Sequence, residues 1–186
     1  MTTGSGRAKN HLVSSPAAIK TALERNVKAV TARPSVGQGT AVTTVTLHPG
    51  LACAVQDGPW RFTVGMTEKY GGTNEGPNPG VYGRAALGAC LAIGYGMWAA
   101  RLDIPVRSLT VDVRARYDVR GELGIDNSVR PGYSDIVYVV TIDTDAADAD
   151  VERLLDTADR HSSWLDDIRN PVPVSREVRI VRGGPA

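Results

Sequence analysis

Two cysteines, three histidines and one phenylalanine are the whole complement of those residues in this 186-residue sequence. Cys53 and Cys90 have no framework spacing, which excludes a disulfide scaffold. The histidines and cysteines show no metal-ligand spacing, so no metal site is expected. Excess charge is missing too. The formal net charge is +1, which gives no global pull toward nucleic acid or an anionic membrane. The longest uncharged run made mainly of apolar and small residues, 85–100, falls short of the roughly 18 residues that span a bilayer and holds three glycines. The opening stretch, "MTTGSGRAKNHLVSS", has no apolar segment of the roughly 7–15 residues that a secretory signal needs, so a reducing, cytoplasmic setting is expected. "GQG" (37–39) and "YGG" (70–72) do not open a helix after a strand, so no nucleotide or other cofactor is called for. What is present is the composition of one ordinary globular domain, 42% hydrophobic and 22% charged, with a core that must lean on Val, Leu, Ile and Ala.

The chain divides into an N-terminal extension over residues 1–35 and a domain over 36–186. Residues 1–14 are polar and read as loose. Ser15-Pro16 opens a short helix over 16–26, with Ser15 as cap and Pro16 in the first turn. "GTAVTTVTL" (39–47), "LACAVQ" (51–56) and "WRFTVGM" (60–66) are strands joined by tight turns, an antiparallel meander. The Gly- and Pro-rich "YGGTNEGPNPG" (70–80) is a long loop, of the kind that carries function. A helix over 81–102 follows, apolar nearly all round. The stretch 108–121 alternates, with Leu109, Val111, Val113, Ala115 and Tyr117 on one face. Residues 135–144 are a further strand, 147–165 an amphipathic helix, and "VSREVRIV" (174–181) a closing strand. This order is α+β, antiparallel sheet with helices packed on it. A helix that is apolar all round must be covered on every side. One small sheet covers one side, so a second copy of the chain is expected, with Gly83, Gly88, Gly94 and Gly96 allowing close approach.

Cys90 is the sharpest chemical candidate, and two readings stand. A thiol works as a thiolate, whose pKa falls near helix N-termini and cationic groups. Cys90 is past the first turn of its helix, and Arg84, six positions earlier, is off the ideal same-face spacing. Activation then needs a cation from elsewhere, with Arg33, Arg61 and Arg130 available. The other reading makes Cys90 a small hydrophobe among small residues. Cys53, mid-strand, reads as core. His161 is either a base near the thiol or a polar residue at the helix end. Ser162-Ser163 can end the helix. Trp164 is pocket wall or core.

The order "GPNP", "AALGAC", "VRPGYSDIVYVV" and "NPVPV" resembles the OsmC/Ohr family over residues 36–182. The resemblance implies antiparallel sheets wrapped around central helices in an intertwined, cytoplasmic homodimer. It also implies thiol peroxidase activity on organic hydroperoxides, with Cys90 at the position of the peroxidatic cysteine. Two positions depart from the pattern. Ser162, in "HSSWLDDI" (161–168), stands where the resolving cysteine would be, and Gly80 stands where a glutamate follows "NP" to orient an arginine. Glu75, just ahead of "GPNP", is the available substitute. The implied chemistry is therefore peroxide reduction by Cys90 alone, with an external thiol completing the cycle. The alternative is a non-catalytic module that binds a small apolar ligand in a pocket at the dimer interface.

Overall fold

The computed structural model describes residues 15–183, so the loose segment expected at 1–14 lies outside the described residues. α1 spans Pro16–Ala32, with the Ser15 hydroxyl accepting from the Ala18 N–H. It runs on past residue 26 because "VKAVTA" contains no breaker. It stops at Arg33, which Pro34 forces into extended backbone. An ion pair between Lys20 and Asp103 ties α1 to the end of the next long helix.

β1 (Thr43–His48), β2 (Ala52–Asp57) and β3 (Trp60–Gly65) form the expected meander, all antiparallel in the order β1-β2-β3. Ala52 and Val55 of β2 are buried, but every residue of β1 is exposed, Leu47 by 65%. The sheet therefore shows an apolar surface that this chain does not cover. The loop after β3 folds back so closely that a Cβ at Gly72 would lie 2.0 Å from the Met66 carbonyl oxygen, which only glycine permits.

α2 (Pro79–Leu102) starts where the Asn78 side chain accepts the Val81 N–H, with Pro79 in its first turn. Its length and apolar composition would suffice to cross a membrane, but here it is the core helix. Leu87, Leu91, Tyr95 and Ala99, four apart, are buried as one stripe. They pack on β4 (Ser108–Arg116) and β5 (Asp135–Asp143) through Leu109, Val111, Val113, Ile136, Tyr138 and Val140. The opposite side, with Val81, Ile93 and Met97, is exposed, Ile93 by 62%. One chain thus leaves much of the other flank of α2 bare, although α1 also packs on α2 and Ala100 is buried.

β4 and β5 pair antiparallel from Ser108↔Asp143 to Arg116↔Asp135. The alternation read from the sequence holds through Ala115. Tyr117 is a correction: the strand ends at Arg116, Tyr117 is 67% exposed, and Asp118 caps a short helix α3 (Val119–Glu122) that the sequence reading missed.

The helix expected over 147–165 is two helices, α4 (Asp148–Arg160) and α5 (Ser163–Arg169), broken at His161 and Ser162. Leu154, Ala158 and Leu165 join the core. Asp159 of α4 accepts hydrogen bonds from Tyr95 of α2, at 2.7 Å, and from Tyr138 of β5, linking three elements. The expected strand at 174–181 is also a correction. Residues 171–183 form no ladder among the described residues, and Val174, Val178, Ile180 and Val181 stand exposed. Apolar alternation makes a strand only where another strand offers its hydrogen bonds.

Candidate active site

The break between α4 and α5 makes the site. A new helix begins at Ser163, so the first N–H groups of α5 have no partner within the helix. Ser162 is its N-cap by backbone geometry, yet its side chain accepts no capping bond. Instead the Ser162 hydroxyl, 5% exposed as a residue, lies 3.4 Å from Cys90 Sγ. The Ser163 hydroxyl lies 3.8 Å from the same sulfur. Burial alone pushes the Cys90 thiol up. The Ser162 hydroxyl, the Trp164 N–H, the Ser163 hydroxyl and the Ser163 N–H together outweigh that, and the thiol is held below its ordinary value. The donors come from α5 rather than from an arginine, and rather than from the N-terminus of the helix that carries the cysteine.

A cleft of about 560 Å³ lies one helical turn from Cys90 and shares Trp164, whose N–H reaches the sulfur, though Cys90 itself does not line it. Gly83, Arg84 and Leu87 of α2 form its floor, with Leu87 one turn before Cys90. Val113 of β4, Ile136 of β5, and Trp164 and Ile168 of α5 form apolar walls. Arg130, Tyr133, Ser134 and Asp135 make the polar rim. Arg84 Nη1 donates to the Tyr133 hydroxyl at 2.8 Å, and that hydroxyl donates to the Gly80 carbonyl at 3.2 Å.

Of the residues singled out in the sequence, Cys90 and Ser162 meet directly, and Trp164 and Arg130 line the cleft. Trp164 is 45% exposed, so it is wall and not core. The others lie apart from it. Arg33 is the exposed C-cap of α1. Arg61 sits on β3 against Gln56 of β2. Glu75 accepts from the Thr73 hydroxyl at 2.8 Å and is not a cleft residue. His161 is the C-cap of α4, its Nδ1 donating to the Thr157 carbonyl at 2.7 Å and its ring 4.8 Å from that of Trp98. Cys53 lies on β2, opposite Leu47 and Val64. The sequence reading missed Ser163 and Tyr133 and set Arg84 aside. A serine pair ahead of "WLDDI" is an N-cap signal for a fresh helix, and that signal could have found Ser163.

The OsmC-like protein family model matches residues 72–177, more than half of the chain and the whole of the site. No curated protein matches the sequence. Among solved structures, the OsmC-like protein from Mycoplasma pneumoniae aligns with a TM-score of 0.63 at 13% identity, over 72% of this chain and 90% of that one. The organic hydroperoxide resistance protein OsmC from Legionella pneumophila aligns at 0.53 and 16% identity, over 71% and 90%. An organic hydroperoxide resistance protein from Elizabethkingia anophelis aligns at 0.54 and 18% identity, over 72% and 91%. At such identities these structures show a common fold, and they agree with the match of the family sequence pattern. The chain belongs to the OsmC-like protein family.

Proposed function

We propose that this chain is a thiol peroxidase that reduces organic hydroperoxides through Cys90 alone and is returned to the thiol by an external reductant. The observation that carries this reading is the group of donors around Cys90 Sγ, which favours the thiolate. The substrate class is taken from the organic hydroperoxide resistance proteins that share the fold. The thiolate attacks the terminal peroxide oxygen. An Sγ–O bond forms, the O–O bond breaks, and the alkoxide leaves and takes up a proton. Cys90 is then a sulfenic acid. Ser162 stands beside it with no sulfur to offer, so a thiol from solution must complete the cycle.

The test is one stoichiometric addition of cumene hydroperoxide followed by mass spectrometry with a sulfenic-acid trap. One trapped adduct on Cys90 is expected, absent in Cys90→Ser. Excess hydroperoxide should drive Cys90 to sulfinic acid, because no disulfide protects it. Equal background consumption by wild type and Cys90→Ser, with Cys90 unmodified, decides for a second reading. In that reading the protein holds a small apolar ligand in the cleft without catalysis. Ser162 in place of a second thiol and the walls of Leu87, Val113, Ile136 and Trp164 favour it.

We also propose that the functional unit is a homodimer. The bare flank of α2 and the exposed surface of β1 are the faces a second copy would cover. An interface that buries a central helix would be on the order of 2,000 Å² or more.

A further inference from the structure

We propose that Arg84 and Arg130 make the cleft beside Cys90 a docking place for a carboxylate-bearing small thiol, the reductant that recovers the enzyme. This rests on Cys90 being the reacting atom. Both arginines line the cleft, and neither forms an ion pair among the described residues. Arg84 spends one donor on a neutral partner, the Tyr133 hydroxyl. The cleft's own carboxylate, Asp135, faces Arg116 at 3.9 Å. At Gly80 a Cβ would already be crowded, 3.1 Å from the Tyr133 hydroxyl, 3.2 Å from Asn78 Oδ1 and 3.3 Å from Arg84 Nη1, so glycine there leaves the Arg84–Tyr133 contact undisturbed. An incoming carboxylate matches the donors that the two guanidinium groups have left over.

The reductant is the co-reactant to which the charge belongs, because the site lacks its own second sulfur. Arg84 lies six positions before Cys90, about 9 Å along the helix axis at roughly 1.5 Å per residue. A molecule that bridges the two must carry its carboxylate several bonds from its sulfur, as a small peptide thiol does. When it attacks the sulfenic acid, an S–S bond to Cys90 forms and the Sγ–O bond breaks. The hydroxide leaves as water with the thiol's proton. A second thiolate then attacks the bound reductant sulfur, expelling the Cys90 thiolate, and the two reductant molecules depart as a disulfide.

The test uses Cys53→Ser protein, so that Cys90 is the sole thiol. Exchange of Cys90 with the dianionic 5,5′-dithiobis(2-nitrobenzoate) is compared with exchange with neutral 4,4′-dithiodipyridine. This step needs no peroxide. The anionic-to-neutral rate ratio should fall at least tenfold in Arg84→Met and in Arg130→Met. In peroxide turnover, the KM for glutathione should rise in both variants relative to that for uncharged 1-thioglycerol. An unchanged ratio in both variants overturns the proposal, even if sulfenic acid forms normally. So does a charge preference confined to the hydroperoxide step, read with carboxylated against neutral hydroperoxides. A clear exchange preference without any sulfenic acid supports anion docking at Cys90 and removes the peroxidase reading instead.

Discussion

Ser162 turns its hydroxyl away from its own helix and onto the sulfur of Cys90. A hydrogen bond to a charged group is worth roughly 1.5–3 kcal/mol, and the thiolate is the form that gains it. Ser162→Ala should therefore raise the thiol's pKa, moving its alkylation profile to higher pH. Iodoacetamide labelling at neutral pH should slow by about tenfold or more. An unchanged profile would mean that the Trp164 and Ser163 N–H groups hold the thiolate without it. Ser162→Cys tests the same geometry by gain. With partners already at 3.4 Å, peroxide should produce an intramolecular disulfide, visible as a faster band on a non-reducing gel. Cys90 itself was legible because a thiol beside a Gly-rich loop is a recognisable chemical feature. The activating group was not. The sequence reading sought an arginine, while the donors are mostly backbone N–H and hydroxyl groups that residue identity does not advertise.

At the scale of elements, the clean alternation of β4 fixed its pairing and its inner face, because one side of a two-stranded ribbon rests on α2. The division of α4 from α5 was half legible: Ser162-Ser163 signals a helix end, but the fresh helix that starts at Ser163 went unread, because the break costs no core contact and Leu154, Ala158 and Leu165 are all buried. The expected strand at 174–181 shows the limit of local pattern, which cannot say where a strand finds its partner. Core position within α2 gives a sharper contrast. Leu91 is fully buried, and Leu91→Ala should cost about 2–5 kcal/mol in urea unfolding. Ile93, two residues on and 62% exposed, should cost about 0.5 kcal/mol or less as Ile93→Ala in a lone chain. A larger loss at Ile93 that depends on protein concentration would place it under a second copy.

For the whole molecule, the uncovered flank of α2 and the bare β1 predict a light-scattering mass of two 19.7 kDa chains at micromolar concentration. A single-chain mass would leave those apolar surfaces facing water and defeat the dimer. The tie that Asp159 makes between α2, β5 and α4 has an optical consequence. Burial, then the hydrogen bond to Asp159, pushes the Tyr95 phenol well above its ordinary range. The folded state therefore holds that proton more tightly than the unfolded chain does. The associated stability is complete below the ordinary phenol value, about 10, and drains away as pH rises above it. Tyrosinate absorbance in an alkaline titration should accordingly show a late, cooperative step that coincides with loss of far-ultraviolet dichroism. Tyr95 then serves as an intrinsic reporter, dark while three elements stay joined and lit when they part.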